Sequence, residues 1–203
     1  AFTPAETLQI ATTSFSLRWF DQVLHHPDFV QSFWNSLGLA VAAASIATAL
    51  AVPAAIALVR YDIPGRGALQ ALFLSPLIIP HLVLGVAMLR MFSLVGGQGS
   101  FGWLIFAHAL VVMPYTMRLV MAALIGFDRS AEQAAYSLGA SNATVFKRIT
   151  LPMILPGITG GWLLAFINSF DELTMSIFVI SPSTVTLPVR MYMYATESLD
   201  PMM

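Results

Sequence analysis

The side chains able to do chemistry are few, and the most distinctive of them form one cluster. Asp171 and Glu172 are adjacent and follow Asn168 and Ser169 in a run that is otherwise apolar. Because an ionised side chain inside a membrane span is costly, such a cluster is a functional candidate by default. It predicts a pathway for a cationic solute, or a gate that pairs with an arginine such as Arg118. A structural ion pair between Arg118 and either carboxylate is the alternative.

Neither a metal site nor a hydrolase is favoured. Cysteine is absent, which excludes disulfides and thiolate ligands. His25 and His26 are adjacent and project in different directions, while His81 and His108 stand singly in apolar runs, so we expect no metal site. An intramembrane hydrolase needs a nucleophile beside a base, and no motif serine accompanies His81 or His108.

ATP chemistry is not expected on this chain. No G-x-x-x-x-G-K-[ST] sequence occurs, and Gly96-Gly97-Gln98-Gly99 lacks the lysine of a P-loop. The net charge of -1 offers no basic field for nucleic acid. The chain is therefore predicted not to be an enzyme.

The composition places the chain in lipid. Of 203 residues, 58% are hydrophobic and only 9% are charged, too few to cover a soluble globule of this size. A bilayer core of about 30 Å needs about 20 apolar residues in a helix. Four runs satisfy this requirement, at approximately 33–59, 69–95, 101–127 and 152–180. The predicted fold is an all-α, polytopic membrane protein, with external segments at 1–32 and 181–203.

Basic residues orient these spans. Arg60 and Arg66 lie between the first two runs, and Arg129, Lys147 and Arg148 lie in the loop 128–151 between the last two. Since basic loops stay in the cytoplasm, both loops are predicted to be cytoplasmic and both chain ends external. The segment 1–31 is too polar to span, so we expect an anchor helix upstream of it.

The loop 128–151 is too structured for a simple connector. Its first half has small and apolar residues at helical spacing: Phe127, Ala131, Ala134 or Ala135, and Leu138. Gly139 follows where a left-handed residue would end this helix, and Ser141 can cap a second one. The second helix carries an apolar stripe of Val145, Phe146 and Ile149. Two short helices hinged near Gly139 are predicted outside the bilayer.

The same loop resembles the cytoplasmic loop of binding-protein-dependent ABC importer permeases, whose signature is E-A-A-x-x-x-G, nine residues, then I-x-L-P. The matching positions are Gln133, Ala134, Ala135, Gly139, Ile149, Leu151 and Pro152. Gln133 replaces the usual glutamate, and Glu132 immediately precedes it. The resemblance implies a coupling helix from Ala131 to Leu138 that docks an ATPase by shape and alanine packing more than by an ion contact.

Further segments resemble the polyamine (spermidine and putrescine) subgroup of these permeases. They are FSLRW at 15–19, Asn35-Ser36, LSPLIIP at 74–80, SFDEL at 169–173, TLPVR at 186–190, and Asp200-Pro201. Subunits of this type usually have six spans. The resemblance therefore implies a type I ABC importer transmembrane domain in which the family's first and last spans are absent from this chain.

The function implied is that of a permease subunit of the bacterial inner membrane, moving a polyamine or related amino compound. Its implied partners are an ATPase subunit that binds ATP and Mg²⁺, a second permease subunit, an external solute-binding protein and membrane lipid. The carboxylates Asp171 and Glu172 keep one alternative open, an ion-coupled secondary transporter.

Overall fold

The computed structural model describes residues 18–197. Within that range the chain is helical and has no strand. The helices are α1 (Arg18–His25), α2 (Pro27–Arg60), α3 (Arg66–Leu74), α4 (His81–Leu94), α5 (Phe101–Ile125), α6 (Ser130–Ser137), α7 (Asn142–Val145), α8 (Leu151–Phe170), α9 (Ser176–Val179) and α10 (Leu187–Glu197). The motif residues 15–17 and 200–201, and the outer parts of the predicted external segments, lie outside the described residues.

Among residues 18–197, three helices are long and apolar enough to cross a membrane. They are α2, α5 and a continuous helix Asn142–Phe170 that joins α7, a π-helical turn at Phe146–Thr150, and α8. This last helix begins before the predicted span 152–180 and ends at Phe170, because the polar pair Asp171-Glu172 follows and Glu172 binds backbone further along.

The run predicted as the second span is bent. The segment Arg66–Leu77 and helix α4 meet at 99°, across a break of three residues. Proline explains the break, since Pro80 has no N–H to donate and disfavours helical geometry at Ile79. The described residues thus hold three helices that could span a membrane, or four if the bent pair counts as one span. The predicted straight helix over 69–95 is instead two helical segments joined at a bend.

The chain divides into two compact units. The described part of the first consists of residues 18–39, 81–105 and 170–197. In it the start of α2 holds the non-helical segment before α10, because the Asn35 side-chain amide donates to the carbonyls of Ser183 (3.2 Å) and Val185 (3.0 Å). The Ser36 hydroxyl accepts the Leu187 N–H at 2.8 Å. These bonds satisfy backbone groups that have no helical partner.

In the same unit, one face of α4 packs on the segment 172–180. Gly85 lies so close that an added Cβ would fall 2.8 Å from Phe178 Cδ2 and 3.1 Å from Met175 Cα. His81 precedes Gly85 by one turn, and the buried Met88 and Phe92 continue the face. The segment after α8 is therefore fixed against α4.

The second unit consists of residues 40–80 and 106–169. Its core is formed by small and apolar side chains of α2, α5 and α8, which are Ala51, Ala55, Leu58, Met117, Val120, Leu124 and Ile154. Gly157 and Gly161 bring α8 close to α5, as expected for small residues in membrane helices. The Thr116 hydroxyl donates to the Gly161 carbonyl at 3.0 Å across this contact.

Candidate functional site

The first helix of the loop 128–151 is present as predicted. Helix α6 runs from Ser130 to Ser137, with Leu138 as its C-cap, and Gly139 has a φ of +83°. This left-handed conformation suits glycine because a Cβ would crowd the backbone. At the other end, Asp128 accepts the Ser130 N–H at 2.9 Å, which lowers the pKa of its carboxyl. The helix therefore has defined ends.

The second loop helix differs from the prediction in one respect. Ser141 caps it, accepting the Thr144 N–H at 3.3 Å, but the helix continues into the membrane span without a break. The π-helical turn lets the Leu151 N–H reach the Phe146 carbonyl, just before Pro152, which has no N–H to donate. The loop therefore consists of one separate helix and the projecting start of a span.

The outer face of α6 is exposed. Gln133, Ala134 and Gly139 are exposed, and Ala135 is half-buried. At the end of the helix Leu138 is 89% exposed. Of the remaining signature residues, Ile149 and Leu151 are half-buried and Pro152 is exposed.

The inner face of α6 carries Glu132, which is buried and held by an arginine that the sequence did not single out as a partner. Its carboxylate accepts two hydrogen bonds from the Arg60 guanidinium, at 2.6 and 3.0 Å. The Thr150 hydroxyl donates a third. Arg129, largely exposed, approaches within 3.7 Å. Glu132 therefore points into the subunit, and Gln133 next to it points out.

Two opposing effects act on Glu132. Burial raises the pKa of its carboxyl, but the hydrogen bonds from Arg60 and Thr150, with the charges of Arg60 and Arg129, outweigh burial and hold the pKa below its usual range. The Arg60 guanidinium also lies 5.4 Å from the centre of the Phe127 ring. The Glu132 carboxylate is therefore ionised at neutral pH.

The two carboxylates after α8 have different surroundings. Glu172 is buried and accepts the backbone N–H groups of Met175 and Ser176, each at 2.9 Å, at the start of α9. It also bonds to His81 Nδ1 at 3.2 Å. Glu172 is thus held by His81 and by backbone. Asp171 is exposed, and its side chain makes no hydrogen bond or ion pair within residues 18–197.

The side chains of the other predicted pathway residues do not form one cluster with Asp171. The Ser169 hydroxyl is buried and bonds to His108 Nδ1 at 2.9 Å, a contact that sequence spacing did not indicate. Asn168 donates to the Leu164 carbonyl at 2.8 Å, one turn back on α8. Arg118 is exposed on α5, and the described part of the chain offers its side chain no ion pair. Of the cluster, only Asp171 is an unengaged carboxylate.

Long apolar helices with a capped, outward-facing loop helix define a membrane subunit of the transporter class. Residues 47–199 match the family described as binding-protein-dependent transport system inner membrane component. The chain belongs to this family and is a multi-pass permease component of an ABC importer. The ion-coupled alternative is not supported.

Similar proteins include polyamine permeases. The chain is 33% identical over 187 residues to the spermidine/putrescine transport system permease protein PotC of Haemophilus influenzae, covering 92% of this chain and 73% of that protein. It is 33% identical over 195 residues to the putrescine transport system permease protein PotI of Escherichia coli, with 92% and 69% covered. It is also 33% identical over 172 residues to the molybdate/tungstate transport system permease protein WtpB of Thermococcus kodakarensis, with 84% and 69% covered.

Solved structures share the fold. A bacterial ABC transporter involved in the import of alginate aligns with a TM-score of 0.70 at 18% identity, over 91% of this chain and 64% of that chain. The MetNI methionine ABC transporter aligns with a TM-score of 0.68 at 20% identity, over 82% and 79%. These similarities confirm the predicted fold class. The number of spans and the existence of spans beyond this chain stay predictions.

Proposed function

We propose that this permease moves a polyamine or a related small cationic amino compound, and that a partner ATPase docked on α6 drives it. The observation that carries the proposal is that the two faces of α6 differ. On the inner face Glu132 binds Arg60 of the same subunit, and on the outer side Leu138 is exposed. An exposed leucine beside small side chains fits a groove on another protein. ATP and Mg²⁺ belong to that partner, and no cofactor is assigned to this chain.

The side on which the ATPase binds follows from charge. The Arg60–Glu132 bond joins the two loops that carry the basic residues, so both lie at one end of the second unit. The positive-inside tendency makes that end cytoplasmic. The turn at Gly99 accepts a hydrogen bond from Ser181 at 3.0 Å, and we assign this region to the external side, where a solute-binding protein would dock. A second permease subunit would complete the pathway.

The proposal predicts ATP-dependent uptake by the assembled transporter. Proteoliposomes containing this subunit, its partner permease and the ATPase would be loaded with ATP and Mg²⁺ and given the binding protein with labelled putrescine, spermidine or molybdate. Uptake of the two amines that persists when ionophores collapse all ion gradients is expected. Uptake that follows the ion gradient while ATP stays high contradicts ATP coupling, and uptake of molybdate alone contradicts the solute class.

Asp171 is proposed as the carboxylate that meets the cationic solute, since Glu172 is engaged by His81 and backbone N–H groups. Asp171→Asn is expected to raise the solute KM about tenfold, the loss of one charged hydrogen bond. Concentration-dependent uptake in the same proteoliposomes measures it. Asp62→Asn, which alters an exposed aspartate outside the spans, is the matched control. Equal KM values for the two variants would remove Asp171 from the pathway.

A further inference from the structure

We propose that Arg60 is a positioning residue for coupling, which carries the movement of α6 to α2. The inference rests on the proposed docking of an ATPase at α6. The Arg60 guanidinium binds a carboxylate on the inner face of the docking helix, whereas the ATPase would meet its outer face.

The need for such a link follows from chain connectivity. Helix α6 is joined by short stretches of chain to α5 before it and to α7 and α8 after it. It has no such connection to α2, which ends at Arg60, 72 residues before Glu132. A force applied to α6 therefore reaches α2 only through side-chain contacts, and Arg60 supplies a charged one.

The geometry suits a contact that transmits displacement. The bond is a two-pronged pairing of a planar guanidinium with a carboxylate, which resists rotation as well as separation. The Arg60 and Glu132 side chains are only 11% and 7% exposed, so water competes little for either partner. Breaking the pair would leave a buried charge without a partner, which makes separation during the transport cycle unfavourable.

The turn that leads into α8 also contacts the Glu132 carboxylate. Thr150, buried at the last position of the π-helical turn, donates its hydroxyl to the same carboxylate and leads directly into α8. Glu132 thus ties the docking helix to the end of α2 and to the start of α8. By contrast, the Arg129 side chain is 62% exposed and lies 3.7 Å from the carboxylate, so water screens its charge and it contributes less than Arg60. The end of α2 and the start of α8 are therefore expected to move with α6.

The test separates coupling from folding by measuring solute moved per ATP hydrolysed. Arg60→Gln in the assembled transporter is expected to retain ATP hydrolysis and ATPase binding while solute uptake per ATP falls at least about tenfold. Arg66→Gln, which alters an exposed arginine at the start of α3, is the matched control and should behave as wild type. The exchanged pair Arg60→Glu with Glu132→Arg is expected to recover part of the ratio.

Arg60→Lys covers the case in which Arg60→Gln fails to assemble. It keeps the charge but loses the two-pronged geometry, so the ratio should still fall. An unchanged ratio in whichever variant assembles overturns the inference, as does a fall in hydrolysis and uptake by equal factors. A wild-type transporter without ATP-driven uptake contradicts the proposed function itself, which keeps the two failures distinct.

Discussion

Replacing Leu138 with aspartate is expected to release the ATPase from this permease while leaving the permease folded. Leu138 is 89% exposed at the end of α6, so its own subunit loses little packing. Burying a leucine in a partner's groove stabilises binding by about 1.5–3 kcal/mol. A buried carboxylate adds a further cost, so ATPase affinity should fall about 100-fold.

The measurement is co-purification and titration of the ATPase against detergent-solubilised permease. Leu138→Met, which retains an apolar side chain of similar volume, is the control and should bind within a few-fold of wild type. Thermal unfolding of the isolated subunit should be the same for both variants. Wild-type ATPase affinity in Leu138→Asp would show that the partner does not cover the end of α6.

Replacing Gly161 with alanine is expected to be the more damaging of two neighbouring glycine substitutions. An added Cβ at Gly161 would lie 2.8 Å from Thr116 Cα and 3.0 Å from Thr116 Cγ2. The nearest atom is backbone and cannot rotate away, so α5 and α8 must separate and the Thr116–Gly161 hydrogen bond lengthens. Overpacking of this kind destabilises by about 1–3 kcal/mol. Since 1 kcal/mol corresponds to about 2–4 °C at this size, the Tm should fall by several degrees.

Gly160 is a close control. It is the preceding residue of α8, and an added Cβ there would meet only Leu119 Cδ1, at an ordinary 3.8 Å. Gly160→Ala should leave the Tm unchanged or raise it slightly, because alanine favours helix over glycine by up to about 1 kcal/mol. Equal Tm changes for the two variants would contradict the close packing of α8 on α5.

Two pairs of adjacent polar residues show how neighbours in the chain acquire different tasks. On α6, Glu132 turns inward to Arg60 and Gln133 faces out at the position where the family signature has glutamate. After α8, the Glu172 carboxylate is hydrogen-bonded to backbone N–H groups and to His81, whereas Asp171 is exposed. Helix geometry explains the first pair, since residues one apart project about 100° apart around the axis.

Much of the fold was predictable from the amino-acid sequence alone. Apolar runs of membrane-spanning length determine that the chain is helical and lies in lipid, because backbone polar groups in lipid must bond within the segment. The positions of Gly139 and Ser141 predicted the end of one loop helix and the cap of the next, and both are confirmed. These features depend on residues close together in the chain.

The side-chain partners that are distant in sequence, and the bend before α4, are evident only from the tertiary structure. The partners Arg60–Glu132, His81–Glu172 and His108–Ser169 are 72, 91 and 61 residues apart, and no local pattern relates them. Pro80 leaves backbone groups near the start of α4 without helical partners. Whether the chain bends there depends on how neighbouring helices pack against it and bind those groups, which composition does not reveal. Sequence determined which segments are apolar enough to span a membrane and where the loop helix α6 ends, because both depend on neighbouring residues. Packing determined where the spans bend or stop, which charges are bound and which stay available.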